Sequence, residues 1–457
     1  MSTCGVEWVE TQFGPKPQWT NEPDHEAILQ AARQALNLNE LCSVRFLAQG
    51  CFNRVYVISS PSEEYIFRVS LPMYRCWKTE SEIATMEWAR QSTSLPVPRV
   101  LSQMNDPSQA VGYEWIIMEK VSGKPLEDVW TGIDYSCKRR IVKQLAAFAA
   151  ATFEHKLRGI GSLYYCNSSL LPAPPPGNFE EKTDSTSFKP YGDDHLGFPF
   201  GLGPGVCPLY LSPYFERVPQ GPFSTSREWV IWLLKFAGED LQARLKEGTG
   251  SFVQGPEGVE AMTILHRLGA LLDAFFPLHS TSESELTMLF HHDLSESNIL
   301  VDDNGSLASV IDWEYMSTVP LFMGCQIPQF LMDLPCDTGP KIDDYEGYND
   351  LRYWSHRKYY ELTQLRQEFL HEMKRLQPQW VDIFESTEHQ RDFVAAITSC
   401  REFYGEPTMC EILCSWLTDV ESGVLDVMGL DERIFDAFAS ADTLNDRFEG
   451  MEGIETT

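Results

Sequence analysis

The segment from residue 290 to residue 314 constrains the fold most, because it predicts one tight hairpin flanked by acidic and amide side chains. Ile299 to Val301 and Leu307 to Ile311 are short apolar runs on either side of Asn304-Gly305, a dipeptide that strongly favours a hairpin turn. With Asn304 and Gly305 as the two turn residues, Asn298 lies opposite Ile311 and therefore beside Asp312. Cross-strand spacing then brings the two polar residues within roughly 5 to 8 Å of each other.

Asp293 precedes this hairpin, so two carboxylates and one carboxamide converge on one strand edge. Such hard oxygen ligands are those that Mg²⁺ prefers, with phosphate oxygens and water in the remaining positions. His291, Asp293 and Asn298 have the H-x-D-x-x-x-x-N spacing of phosphoryl transfer of the protein-kinase type, in which a later Asp supplies the second metal ligand. A carboxylate-rich hairpin alone is most often a solvated turn, and it is the spacing together with the register that favours the catalytic interpretation.

This segment resembles the catalytic loop of the aminoglycoside phosphotransferase and choline kinase family, small-molecule relatives of the protein kinases, and especially its fungal branch. The resemblance implies an α+β, protein-kinase-like two-lobed fold, with a small β-sheet lobe that carries a helix and a larger, mainly helical lobe. It implies Asp293 as the catalytic base and His291 as support of the loop, with Asn298 and Asp312 as ligands of Mg²⁺. The implied phosphate donor is ATP, and the implied acceptor is a hydroxyl group of a small molecule.

Three strand-like runs, over residues 44–48, 54–58 and 65–69, predict a three-stranded meander ahead of the catalytic segment. The first turn, Gly50-Cys51-Phe52-Asn53, resembles the phosphate-covering loop of the family, which makes Gly50 and Asn53 candidate nucleotide contacts. A single glycine in a hairpin is otherwise most often only a turn residue. The third run presents Arg68 where kinases have a lysine; arginine can hold phosphates bidentately, and a surface arginine on an edge strand is the alternative.

A helix predicted over residues 78–91 carries two acids, Glu80 and Glu82. Glu82 fits the family pattern better as the partner of Arg68, although a solvated helix face accounts for either acid equally well. Farther along, Glu119-Lys120-Val121-Ser122-Gly123 resembles the hinge between the lobes, where main-chain groups of Glu119 and Val121 would bind adenine.

The predicted domain layout is an N-terminal extension with a helix over 1–40, a small nucleotide-binding lobe over 41–121, a large helical lobe over 122–449 and a loose tail over 450–457. Within the large lobe, residues 170–222 are rich in Pro and Gly and predict an irregular insertion, which serves either the acceptor or the structure. Further helices are predicted over 224–245, 258–279 and 350–376.

The charge balance is strongly acidic, with 66 Asp plus Glu against 36 Lys plus Arg and a formal net charge of −30. Such a surface repels polyanions, so we expect neither nucleic acid nor an anionic membrane as a partner. A cationic acceptor would be attracted, and solubility explains the charge equally well. No apolar run approaches the length of a membrane span, and the first residues show no secretory or mitochondrial leader. These features predict a cytoplasmic protein.

Two departures from protein kinases favour a small-molecule acceptor over a protein hydroxyl. Ser295 stands where those enzymes place a lysine, and Asp312-Trp313-Glu314 replaces Asp-Phe-Gly. Two alternatives stay open. Arg68, the sparse glycine loop and the bulky His292 are compatible with a kinase-like scaffold that binds nucleotide or a protein without chemistry, and a protein kinase is the weaker third interpretation.

Overall fold

The computed structural model describes residues 5–11, 14–38, 41–171, 200–215, 218–247, 256–278, 283–402, 407–424 and 427–441. Its strands, in chain order, are β1 Val6–Thr11, β2 Gly14–Trp19, β3 Ser43–Gln49, β4 Asn53–Ser59, β5 Glu64–Ser70, β6 Val100–Met104, β7 Glu114–Glu119, β8 Lys124–Pro125, β9 Leu157–Arg158, β10 Ser162–Tyr165, β11 Phe200–Gly203, β12 Leu286–Phe290, β13 Ile299–Val301, β14 Leu307–Val310 and β15 Ser317–Pro320. Its helices are α1 His25–Leu36, α2 Trp77–Ser92, α3 Leu126–Val129, α4 Tyr135–Glu154, α5 Ser226–Glu247, α6 Pro256–Phe275, α7 Leu321–Gly324, α8 Leu351–Leu376, α9 Pro378–Ser386, α10 Glu388–Glu402, α11 Pro407–Ser422 and α12 Leu430–Ala441. The predicted α+β class is confirmed.

The small lobe is an antiparallel sheet with strand order β3-β4-β5-β7-β6, so the predicted meander is confirmed and extended by two strands. Helix α1 packs on one face of this sheet, where Ile28 and Ala32 are fully buried against Tyr56 and Phe67. Strand β5 is central, with β4 on one side and β7 on the other. Because β5 is paired on both edges, its backbone is fixed, and its side chains on one face are held against helix α2.

The N-terminal extension contains more structure than the sequence predicted. Ahead of α1, β1 and β2 form an antiparallel hairpin in which Val6 pairs with Trp19. The expected helix is present, and its N-cap residue Asp24 accepts a hydrogen bond from the Glu26 amide at 2.9 Å. The hairpin was missed because its second strand contains two prolines, which normally argue against a strand.

The large lobe packs around two apolar clusters that also contain buried residues of the segment over 290–316. One cluster joins α2, α4 and α8 to β13 and β14, with Ile299 and Val310 fully buried. The other joins α5, α6, α10 and α11, with Trp416 fully buried. The hairpin that carries the predicted site therefore packs in one cluster with α2 of the small lobe and with α4 and α8 of the large lobe.

Part of the predicted insertion is ordered core. Residues 172–199 lie outside the described residues, as does the expected tail over 450–457. In the part that follows, β11 pairs with β10, and Val206 and Cys207 are buried. The prediction of an irregular segment over all of 170–222 is therefore wrong for β11, residues 200–203, while residues 204–207 are irregular in backbone. Among the described helices, none combines the length and the apolar character needed to cross a membrane.

Candidate active site

The hairpin of β13 and β14 agrees with the prediction at its open end and differs from it at its turn. Gly305, with φ of +70°, donates its amide to the Asp302 carbonyl at 2.9 Å, so the turn is one residue longer than an Asn-Gly pair requires. A register shift later in the hairpin compensates, and Ile299 pairs with Val310. The Ile311 amide consequently donates to the Asn298 carbonyl at 2.9 Å, which places Asn298 beside Asp312 as the sequence predicted.

Asn298 and Asp293 are joined directly. The Asn298 Nδ2 atom donates to the Asp293 main-chain oxygen and to its Oδ2 atom, both at 2.9 Å. Asn298 is buried, whereas the Asp293 side chain is exposed to the cleft. Because the amide nitrogen is used in these bonds, only the Oδ1 atom of Asn298 could coordinate a cation.

His291 is buried under the loop and supports it. Its Nδ1 atom accepts a hydrogen bond from the Asp293 amide at 3.3 Å, and its ring contacts Trp313 edge-on with centroids 5.3 Å apart. Burial lowers the pKa of His291 to about 4, against the opposing effect of the Asp293 carboxylate. A histidine that is neutral at physiological pH and packed in this way suits a supporting role.

Asp312 lies at the start of the segment that follows β14, in the left-handed region with φ of +61°. Its Oδ1 atom is 3.8 Å from Arg68 Nη1, and within the described part of the chain this oxygen has no hydrogen-bond partner. Burial and the nearby Glu314 carboxylate raise the pKa of Asp312, while Arg68 opposes them. Because 35% of the side chain is exposed to the cleft, solvent screens part of this effect.

Arg68 is buried on the central strand β5 and forms an ion pair with Glu82 of α2. The predicted pair is therefore present, and the edge-strand alternative for Arg68 is wrong. Burial alone would lower the pKa of this guanidinium, but the Glu82 carboxylate outweighs it and the pKa is raised. Glu80 is engaged elsewhere, since its Oε1 atom accepts from Asn105 Nδ2 at 3.2 Å.

The loop between β3 and β4 presents Gly50 to open space. The Gly50 amide donates to the Asn53 carbonyl at 2.9 Å, and a Cβ atom built on Gly50 would meet no atom within 4 Å. Asn53 is buried beneath the loop, where its Oδ1 atom accepts from Lys78 Nζ at 3.1 Å and Ser70 Oγ at 3.2 Å. Its side chain thus holds the loop from below.

The hinge positions lie at the end of β7. The Glu119 amide donates to the Arg99 carbonyl at 3.0 Å, and Glu119 Oε1 accepts from the Arg99 amide at 2.9 Å. Since the sheet uses this amide, an adenine contact would fall to the Glu119 carbonyl and to the main chain of Val121.

The sequence reasoning missed two charged residues at the site, Lys78 and Glu314. Lys78 on α2 is 2% exposed, and its Nζ atom lies 2.5 Å from Glu314 Oε2. A signal for Lys78 existed, because it precedes Glu82 by four residues and so shares its helix face. For Glu314 the signal was its position two residues after Asp312.

A separate open pocket of about 450 Å³ lies in the large lobe and is lined by none of the predicted site residues. Its walls are mainly apolar and include Phe275, Phe276 and Phe322. Its cation, Arg227, is engaged by the Phe276 carbonyl at 2.5 Å and Asp273 at 2.7 Å. We therefore take the cleft around Asp293 and Asp312 as the candidate active site.

A profile of the phosphotransferase enzyme family matches residues 43–322, from the first strand of the small lobe to α7. The chain belongs to this family. The match contains Arg68, Glu82, Asp293, Asn298 and Asp312, so the predicted resemblance is confirmed at the level of the family.

Fungal relatives agree with the predicted branch. The chain is 33% identical to a subtelomeric hrmA-associated cluster protein of Aspergillus fumigatus over 308 residues, covering 62% of this chain and 59% of the relative. It is 23% identical to the altered inheritance of mitochondria protein 9 of Saccharomyces cerevisiae over 377 residues, covering 76% of this chain and 58% of the relative. The chain therefore spans less than two thirds of the length of these relatives. The yeast relative is named a mitochondrial protein, and by this comparison the expectation of a cytoplasmic location is wrong.

Two solved structures are also similar to this chain at low identity. Aminoglycoside phosphotransferase APH(4)-Ia has 14% identity and a TM-score of 0.41, with 93% of this chain and 98% of that chain covered. A putative aminoglycoside phosphotransferase from Ralstonia eutropha has 15% identity and a TM-score of 0.40, with 91% and 95% covered.

Proposed function

We propose that this member of the phosphotransferase family transfers the γ-phosphoryl group of ATP to a hydroxyl group of a small molecule, with Mg²⁺ as the metal. One observation carries the proposal. A continuous series of contacts runs from Asp293 through Asn298 to the neighbourhood of Asp312, and from there through Arg68 to Glu82. This series supports the proposal, because it brings into one cleft a carboxylate that could accept a proton, two oxygen-bearing side chains that could bind a cation and a guanidinium that could hold phosphate.

The donor set supports a hard metal ion. Asp312 Oδ1 has no hydrogen-bond partner among the described residues. In Asn298 the Nδ2 atom is used in hydrogen bonds, which leaves the Oδ1 atom to bind a cation. Two protein oxygen ligands are what Mg²⁺ commonly takes, with phosphate oxygens and water completing its shell. When bound, Mg²⁺ would neutralise charge on the phosphates.

Asp293 would accept the proton of the acceptor hydroxyl. Transfer forms a bond between the acceptor oxygen and the γ-phosphorus and breaks the bond from that phosphorus to the bridging oxygen, so that ADP leaves. The hydroxyl proton goes to the Asp293 carboxylate, which Asn298 Nδ2 holds in place at 2.9 Å.

Arg68 and the loop at Gly50 would hold the phosphates. Arg68 Nε is buried with no hydrogen-bond partner among the described residues, so it is a donor available to a ligand oxygen. The open space above Gly50 allows backbone amides to approach a phosphate. Glu119 and Val121 would hold adenine through the main chain.

We propose a neutral or cationic alcohol as the acceptor. The formal charge of −30 disfavours anionic acceptors, and the same charge disfavours nucleic acid and anionic membranes as partners. Ser295, in place of the lysine of protein kinases, supports a small molecule over a protein substrate.

The test combines nucleotide binding with turnover. We expect ATP with Mg²⁺ to raise the melting temperature of the wild-type protein, and we expect Asp312→Ala to remove the part of this rise that needs the metal. A pool of small alcohols with labelled ATP then identifies the acceptor. In Asp293→Asn, binding should persist while turnover falls by about 10² to 10⁴.

Asp303→Asn is the matched control, because Asp303 is an exposed carboxylate at the far end of the same hairpin. It should leave both binding and turnover unchanged. Metal-dependent ATP binding with no phosphorylated product from any pool would instead favour a non-catalytic nucleotide-binding scaffold. No binding by folded wild-type protein would overturn the proposal.

A further inference from the structure

Helix α2 presents two charged side chains of opposite sign to the cleft, Lys78 and Glu82. They are one helical turn apart and each is only 2% exposed. Glu82 pairs with Arg68 on strand β5. Lys78 pairs instead with Glu314, on the segment that begins at Asp312. One helix face therefore contacts both the phosphate-side cation and the segment that carries the candidate metal ligand.

We propose that Lys78 and Glu314 are positioning residues, which together fix the Asp312 segment against α2 so that Asp312 is held at the metal position. This inference rests on the proposed function. It adds to that function a second charged link, beside the Arg68–Glu82 pair.

The Asp312 segment needs such a link because its backbone has an unfavourable conformation at two residues. Asp312 and Tyr315 are both non-glycine residues in the left-handed region, with φ of +61° and +60°. Such residues are uncommon in this region and persist only where surrounding contacts impose the conformation. Trp313 anchors one side of the segment by donating from Nε1 to the Val310 carbonyl at 2.9 Å. The 2.5 Å contact between Lys78 Nζ and Glu314 Oε2 anchors the other side.

The same pair reaches the phosphate loop. The Lys78 ammonium lies 5.2 Å from the centre of the Tyr315 ring and 5.9 Å from that of Phe52, and these two rings meet edge-on at 5.0 Å. Asn53 also accepts from Lys78 Nζ at 3.1 Å. Loss of the Lys78 charge would therefore loosen the loop and the Asp312 segment together. It would also leave the Glu314 carboxylate beside Asp312 without its counter-ion.

The experiment measures the Mg²⁺ concentration that gives half of the ATP-induced rise in melting temperature. For Lys78→Met we expect this concentration to rise by about tenfold or more, since small displacements of a positioned group have large effects. Glu314→Gln, which keeps the shape of the side chain, should shift it in the same direction. ATP binding without metal should change less in both variants.

Lys138→Met is the matched control. Lys138 is also 2% exposed at its side chain, its Nζ atom is also 2.5 Å from a carboxylate, Glu361 Oε2, and it also lies on an aromatic ring, that of Trp130. The Lys138–Glu361 pair joins α4 to α8, whereas the Lys78–Glu314 pair joins α2 to the Asp312 segment. Lys138→Met should lower the melting temperature of the free protein to a similar extent and leave the Mg²⁺ requirement at the wild-type value.

The combined variant Lys78→Met/Glu314→Gln separates positioning from simple stability. It leaves no lone buried charge, so the melting temperature of the free protein should recover relative to Lys78→Met. The raised Mg²⁺ requirement should remain, because the link is still absent. A requirement that returns to the wild-type value together with stability would show a purely structural pair and overturn the inference.

The Asp312→Ala variant distinguishes the two proposals. If it abolishes the metal-dependent rise while Lys78→Met and Glu314→Gln leave the Mg²⁺ requirement unchanged, the positioning role is wrong and the proposed function stands. If wild-type protein shows no metal-dependent rise at all, the proposed function fails and the inference fails with it.

Discussion

Arg68 contacts two carboxylates at once. One end of its guanidinium pairs with Glu82, and its Nη1 atom lies 3.8 Å from Asp312. A planar guanidinium can serve two partners in fixed directions, whereas a lysine ammonium is a point charge on a flexible chain. The arginine therefore joins α2 to the Asp312 side of the cleft in a way that a lysine would not.

We expect Arg68→Lys to weaken binding of ATP with Mg²⁺ by about tenfold, or ~1.4 kcal/mol, because a lysine that keeps the Glu82 pair loses the contact toward Asp312. Isothermal titration calorimetry at fixed salt measures this change. Arg45→Lys, on the edge strand β3 and exposed, is the control and should bind as the wild type does. Equal or tighter binding by Arg68→Lys would show that the guanidinium geometry has no role.

At the scale of single residues, the sequence predicted contacts well where two residues lie on adjacent elements. The Arg68–Glu82 pair, between a strand and the next helix, was expected because Glu82 fits the family pattern better than Glu80 does. The side chain of Asn53 was harder to place, since nothing in the sequence shows whether it faces the nucleotide or the buried Lys78. Lys78 and Glu314 were missed because their contact depends on how the two lobes fold together.

At the scale of elements, the hairpin of β13 and β14 shows what short-range rules can and cannot give. Two short apolar runs on either side of Asn304-Gly305 were enough to predict that Asn298 neighbours Ile311. They did not predict the longer turn or the register shift that compensates for it, because a bulge depends on packing against neighbouring elements. Helix bounds were predicted to within a few residues, as for α8, expected over 350–376 and found over Leu351–Leu376.

The contact between α10 and α12 should weaken as pH rises. Burial raises the pKa of Asp392 to about 7, from an ordinary value of 3.8, and Asp431 and Glu388 add to this while its hydrogen bond from the Leu430 amide opposes it. The unfolded chain thus binds fewer protons at this group than the folded chain between these two values. The free energy of unfolding accordingly falls as pH rises from about 4 to about 7.

Asp392→Asn removes this titration and keeps an oxygen acceptor for the Leu430 amide. We expect the variant to be more stable than the wild type at pH 8 by ~1 to 3 kcal/mol, with a smaller difference at pH 5. Urea unfolding at the two pH values measures it. Asp436→Asn, at an exposed position on α12, should change stability little. A difference between Asp392→Asn and wild type that does not grow with pH would contradict the assignment.

At the scale of the whole molecule, the two-lobed arrangement was implied by the resemblance to the family, carried by the loop at Gly50, the hinge and the hairpin of β13 and β14. The sequence did not predict how much of the core comes from the end of the chain. The family match ends at residue 322, yet Phe393, Trp416 and Leu417 are fully buried or nearly so in α10 and α11. Helical periodicity shows which residues are buried but not which element covers them.

These C-terminal helices cover residues that lie near the candidate site. Their side chains share one apolar cluster with Leu71 and Tyr74, which connect β5 to α2, and with residues of α5 and α6. Each large buried side chain contributes about 2 to 5 kcal/mol, and a whole domain has only about 5 to 15 kcal/mol of stability. Loss of α10 to α12 would remove several such side chains at once.

We therefore expect a chain that ends at residue 386 to lose cooperative unfolding and to bind an apolar dye strongly, although it contains the entire family match. Urea unfolding followed by tryptophan fluorescence, with dye binding in parallel, measures both. A chain that ends at residue 441 keeps α10 to α12 and is the control, which should unfold as the full chain does. The opposite outcome is a chain ending at 386 that unfolds cooperatively and binds ATP with Mg²⁺ as the full chain does. That result would contradict the prediction, because it would show that the matched segment is stable without α10 to α12 and that these helices are not needed to hold the residues between β5 and α2.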